Sequence, residues 1–265
     1  MTGSTVSGNL ASGWPQRSRW RYREPGHSDH HEQHDSGNHA QKISGFGGNS
    51  QGGGIYNEGT LTVTISSVSS NFIQGSSSAN EGGGIFSAGN ATITNSLIQG
   101  NFIQGFSGSS SLGGGVRSVS NKLIIVNSTI TSNQVIGISN TANFGGGIEN
   151  GSGSTLVLVS STVASNSVTG GSSAAGGGVR TVGPANVRNT IIANNISTTS
   201  PDADGTFNSQ GHNLIQNLAG SNGFGVNGDV SGVDPLLRPL GDYGGPTQTM
   251  GLLLGSPRWT PATIA

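Results

Sequence analysis

A glycine triplet followed by Ile or Val recurs five times, opening at Gly52, Gly82, Gly113, Gly145 and Gly176, and nothing else in the chain constrains its fold as much. The steps between copies are 30, 31, 32 and 31 residues. A unit of that size cannot bury an apolar face alone, so the copies must stack into a solenoid. Each copy repeats one order: the triplet, a β-branched residue (Ile55, Ile85, Val116, Ile148, Val179), a polar turn, and a strand-like run such as LTVTI or LIIV. A second aliphatic residue (Val68, Ile98, Ile130, Val163, Ile191) follows, with Asn three places later (Asn71, Asn101, Asn133, Asn166, Asn194). The runs alternate apolar with Thr or Ser, the period of a half-buried strand, and no helical period is present.

Stacked coils place equivalent residues one strand spacing apart, about 4.8 Å. Both aliphatic sets are therefore expected as inward ladders, and the Asn set as a ladder at a turn, where Asn tolerates the left-handed conformation. The triplets suit corners where backbones approach closely or φ is positive. Ser- and Gly-rich stretches of variable length between each Asn and the next triplet read as solvent loops.

Composition supports an ordered, polar β protein. Charged residues are 9% of the chain, against about 25% on average, which removes the charged faces of helical bundles. The formal charge of -1 is unlike that of most disordered chains. With 11 basic and 12 acidic residues there is no footprint for nucleic acid, and no cysteine means no thiolate chemistry. No apolar run is long enough to span a bilayer.

Two stretches break the pattern. Residues 14–35, WPQRSRWRYREPGHSDHHEQHD, hold four of the six His and, taken at face value, form a metal-binding tract through His27, His30, His31 and His34. Yet Ser4 to Asn9 matches Ser161 to Asn166, and adding Asn9 and Asn38 to the Asn series gives steps of 29 and 33, so the repeat frame survives across the odd segment. A back-translation of Arg21 to Ser36 read one base later gives GIENPGTVTITNSTI, a missing repeat. Residues 14–35 are accordingly read as frame-shifted, within one or more disrupted coils spanning 1–42. The tail 258–265 is read the same way, since another frame gives AVDAGDNR. Met1 falls inside a repeat ending without a signal peptide, so a signal and an anchor are expected upstream or downstream of this chain.

The run GGGIYNEGTLTVT from Gly52, SQGHNLI from Ser209 to Ile215, and DPLLRPLGDYGGPTQTMGLLLGSP from Asp234 to Pro257 together resemble the bacterial choice-of-anchor Q family of right-handed parallel β-helix proteins. The repeats are also similar to those of polymorphic outer-membrane and other adhesin-like β-helices. The resemblance covers about residues 43–257. It implies an all-β right-handed parallel β-helix, with five coils over 43–197 and a C-terminal cap over 198–257. It further implies a bacterial protein that is secreted or held at the cell surface or outer membrane, and it implies no defined reaction.

Parallel β-helices similar to this one include pectate lyases and other polysaccharide-cleaving enzymes, whose chemistry needs carboxylates or a basic residue. Between Ile43 and Ser200 there is no Asp and no His, and the acids are Glu58, Glu81 and Glu149 alone. No catalytic residue and no cofactor is assigned. Glu58 and Glu149 read as solvated turn carboxylates after GGGI, and Arg117 and Arg180 as a small exposed basic patch. Acids gather at the C-terminal end as Asp202, Asp204, Asp229, Asp234 and Asp242, beside His212 and Tyr243. They are expected to cap the open end of the solenoid, with a cation site as the rival reading. The expected function is non-catalytic and adhesin-like: contact with a surface carbohydrate or a host or cell-surface protein through stacked Ser, Thr and Asn. The alternative is a degenerate lyase- or glycosidase-like β-helix.

Overall fold

The computed structural model describes residues 49–257 apart from 75–77, 106–107, 139–141 and 172, together with the backbone of strands in 4–41. The described chain is an all-β parallel β-solenoid without a helix. Sheet 1 runs through Ser67–Ser69, Leu97–Gln99, Thr129–Thr131, Thr162–Ala164, Ile191–Ala193 and Leu214–Ile215. Sheet 2 contains Phe72–Gln74, Phe102–Gln104, Gln134–Ile136 and Ser167–Thr169. Sheet 3 contains Ser50–Gln51, Asn80–Glu81, Ser111–Leu112, Ala142–Phe144 and Ser173–Ala175. Sheet 4, the widest, includes Thr60–Thr64, Asn90–Thr94, Val116–Val126, Ile148–Val159 and Ala185–Arg188. Each coil passes from sheet 3 through the glycine triplet to sheet 4, then to sheets 1 and 2.

Alternation decides which side chains point inward. Ile55, Ile85, Val116, Ile148 and Val179 pair coil to coil and are buried. They join Leu61, Ile93, Ile125 and Leu158 in the main core between sheets 4 and 1. A smaller core of Ile73, Ile103, Val135, Val168 and Ala174 fills the space between sheets 2 and 3. Complete burial of such a side chain contributes about 1.5–3 kcal/mol, so each coil gains stability only from its neighbours.

The two cores are separated by a pinch at which the triplets meet the Asn column. The first glycine of every triplet has positive φ, between 64° and 72°. At the third, space is the constraint: a Cβ on Gly115 would lie 2.6 Å from the Gly147 carbonyl oxygen and 3.0 Å from Asn133 Cγ. The column itself is Asn71, Asn101, Asn133, Asn166 and Asn195. These side chains are buried, and each Nδ2 donates to the Oδ1 of the next coil at 2.8–3.0 Å.

Three expectations need correction. At the fifth position the ladders run through Ile192 and Asn195, one residue beyond Ile191 and Asn194; Val163 pairs with Ile192, and Asn194 is exposed. The reason is that Asn194 takes the left-handed position held by Ser70, Gly100, Ser132 and Ser165 in earlier coils. It follows that the ladder asparagines are not chosen for left-handed backbone. Their carboxamides bridge coils while their predecessors make the turn. Finally, the C-terminal block is not all end cap. Within residues 234–257 the stretch 247–250 lies against the outer side of sheet 1, where Thr249 meets Thr129 at 2.8 Å and Thr247 reaches the Asn95 carbonyl at 3.3 Å. Outward-placed Leu97, Thr129 and Thr131 are buried there. Pro235, Pro239 and Pro246 lack the N–H groups that would extend the ladder.

Backbone register continues into the earliest strands: Gln33–Ser36 pairs with both Ser4–Ser7 and Ser67–Ser69, and His27–His31 pairs with Thr60–Thr64. His30 and Asp35 thus hold the register positions of Val63 and Val68.

Candidate functional site

Sheets 3 and 4 meet at the triplet corner, and outward-facing residues on the two sides converge across it. From sheet 4 come Tyr56, Phe86, Arg117, Glu149, Arg180 and Asp204, one per coil in continuous register. From sheet 3 come Gln51, Glu81, Leu112 and Phe144. The charges alternate and pair. Arg117 Nε donates to Glu81 Oε1 at 3.3 Å, and Arg117 Nη1 meets Glu149 Oε2. Arg180 Nη1 donates to Glu149 Oε1 at 3.0 Å, and Arg180 Nε to Asp204 Oδ2 at 3.2 Å. Gln51 extends the row by donating to Glu81 at 2.6 Å. The guanidinium of Arg180 stacks 3.8 Å above the Phe144 ring, a cation–π contact.

This arrangement overturns two readings. Glu149 is not a solvated turn carboxylate: only 2% of its side chain is accessible, held between two arginines. Arg117 and Arg180 are not an exposed patch either, because Glu149 separates them and both are largely covered. Burial lowers the Arg117 pKa from its ordinary value, opposed chiefly by the Glu81 carboxylate. Glu58 is exposed and accepts a bond from the Tyr56 hydroxyl at 2.6 Å. Glu81 had no visible signal in the sequence, since its role depends on which coil faces it.

At the C-terminal end the acids divide by function. Asp202 ends the Asn column: its Oδ1 accepts from the Asn195 backbone N–H at 3.1 Å and from Asn195 Nδ2 at 2.9 Å, while Oδ2 accepts from the Asn217 N–H at 2.8 Å. Burial nevertheless raises its pKa above the ordinary carboxylate value, outweighing those three bonds. Asp229 ends a second column that the sequence pattern did not single out. In it the backbone N–H of Ser66 donates to Ser96 Oγ, Ser96 to Ser128, Ser128 to Ser161, Ser161 to Thr190, and Thr190 to Asn213 Oδ1. Asn213 then donates to Asp229 Oδ1 at 2.8 Å. Phe224 stacks on Phe207 at 4.9 Å and closes the main core. Asp204 belongs to the charged corner, while Asp234 and Asp242 accept only local turn N–H groups and stay exposed. His212 sits in a left-handed turn, and the Tyr243 hydroxyl donates to the Pro239 carbonyl at 2.8 Å.

Among the described residues no three His, Cys, Asp or Glu side chains come together as a metal ion requires. The side chains of His27, His30, His31 and His34 lie outside the described residues. No described helix is long and apolar enough to cross a membrane. No family model, curated protein or solved structure matches the chain.

Proposed function

We propose that this chain is a non-catalytic binding solenoid of a secreted or cell-surface bacterial protein of the choice-of-anchor Q kind. It makes adhesin-like contacts with carbohydrate or a cell-surface protein. One observation carries the reading: the charged groups of the corner are engaged with one another, whereas beyond the corner the outward columns of sheet 4 present mainly hydroxyl, amide and β-branched side chains. A carboxylate bonded to arginine on each side is poorly placed to act as a base or to take a cation.

A second reading keeps one observation in its favour. The corner gathers Glu81, Glu149 and Asp204 along one row beside Tyr56, Phe86 and Phe144, as a degenerate polysaccharide-active site would. The full chain should be incubated with a panel of soluble and insoluble polysaccharides, measuring both retention and release of shortened products. Retention without products supports the binding solenoid. Product release that Glu149→Gln abolishes would establish the enzymatic reading in its place.

A further inference from the structure

The widest outward surface of sheet 4 carries a regular grid. One column runs Thr62, Thr92, Ile124, Val157 and the next Thr64, Thr94, Val126, Val159, in unbroken register over four coils. All eight residues are partly exposed and all eight are β-branched. Such side chains are stiff at χ1, so the γ-methyl groups are held at fixed points without further ordering. The points repeat about every 4.8 Å across coils and about 6.6 Å along each strand, two residues apart. None of the four Thr hydroxyls is tied to another side chain among the described residues.

We infer that this grid binds the surface of ice. The proposal rests on reading the chain as a binding solenoid and names its contact face and ligand. The eight grid positions carry no charge, while exposed Lys122 and Arg188 and, by backbone register, Asp29 and His31 stand at the margins, so the grid itself suits an uncharged and periodic surface. Small apolar groups leave adjacent water to satisfy its hydrogen bonds with other water, and a rigid array of them imposes its own spacing on that layer. Threonine hydroxyls at the same spacing join the layer as donors and acceptors. The repeat of about 4.8 Å is close to one repeat of a prism face of ordinary ice, while the repeat of about 6.6 Å is shorter than the other. A second copy of the chain fits less well, because a stable interface buries about 800 Å² per partner and the grid spans only three coil steps by one strand step. A sugar polymer fits less well also, since the aromatic rings Tyr56, Phe86 and Phe144 lie at the corner and not on the grid.

The test is partition of the full chain into a slowly growing ice front, together with thermal hysteresis. The comparison proteins are Thr94→Tyr and Val157→Lys on the grid and Thr169→Lys on exposed sheet 2, each checked for an unchanged melting curve. Wild type and Thr169→Lys should enter the ice and show hysteresis, and each grid variant should enter roughly tenfold less, equivalent to about 1.4 kcal/mol of surface affinity. Thr92→Val, which keeps the methyl, should enter nearly as wild type does. Exclusion of wild type from ice overturns the proposal, as does undiminished entry of both grid variants. If wild type is excluded from ice yet retained on a polysaccharide, the ice proposal fails while the binding solenoid stands.

Discussion

The Asn column and the charged corner are both polar stacks with one residue per coil, yet they obey opposite rules. In the Asn column every coil carries the same residue, because a carboxamide is donor and acceptor at once and passes one bond to the next coil. In the corner like residues would repel, so the order alternates: Glu81, Arg117, Glu149, Arg180, Asp204. The first stack is therefore a visible sequence repeat and the second is invisible to repeat analysis. The difference also explains where an acid can stand in the interior. Asp202 and Asp229 accept N–H bonds and need donate none, which suits only the last coil of a column. The solenoid's interior columns thus end in carboxylates.

The sharpest way to break this contrast is to put the terminal residue in the middle. Asn133→Asp would set a buried carboxylate oxygen against Asn166 Oδ1 and the Ile98 carbonyl, both now bonded at 2.9 Å. It should cost about 4 kcal/mol or more in denaturant unfolding. An undiminished midpoint would mean the column has no fixed direction.

Glu149→Ala tests the alternating stack. It leaves two guanidinium groups facing each other and should cost about 3 kcal/mol, because breaking a buried pair costs more than the pair contributes. Replacing Arg117 by Met in the same chain should recover most of that loss. Additive single effects would show that the row is not coupled.

Asp202→Asn separates charge from shape at the column end. The variant keeps an acceptor for Asn195 but turns a donor toward one of the three N–H groups, costing about 1–2 kcal/mol. It should also change the pH dependence. The folded pKa of Asp202 lies above its unfolded value, so the folded state binds the proton more tightly. That contribution is complete below about pH 4 and is lost as pH rises through the folded pKa. Wild-type stability minus that of Asp202→Asn should therefore fall as pH rises from about 4 through the folded pKa. A rise instead would mean that the three bonds outweigh burial.

The smallest effect lies at Ile65, a β-branched residue at φ 50° where later coils place Asn95, Asn127 and Asn189. Ile65→Asn should stabilise by about 1 kcal/mol, read as a raised melting temperature.

Much of the fold was legible before any coordinates. Triplets at a fixed step, alternating strands and a recurring Asn are short-range signals, because a parallel stack forces equivalent residues into one environment. Legibility failed where several residues met the same local rule. At Ile191, Ile192, Asn194 and Asn195 the sequence offered two aliphatic residues and two asparagines, and only pairing with Val163 and Asn166 decides between them. The Ser column escaped notice because Ser is common throughout the loops and turns.

The sequence by itself determined the solenoid, the direction of its alternating side chains and the placement of glycine at its tightest corner. Those follow from residue spacing and backbone sterics. Only the tertiary structure decided that Glu149 lies between Arg117 and Arg180, that Asp202 and Asp229 end two columns, and that residues 247–250 lie against sheet 1. Each of these depends on which coil stands beside which, a relation between residues 7 to 120 positions apart that the repeat pattern does not encode.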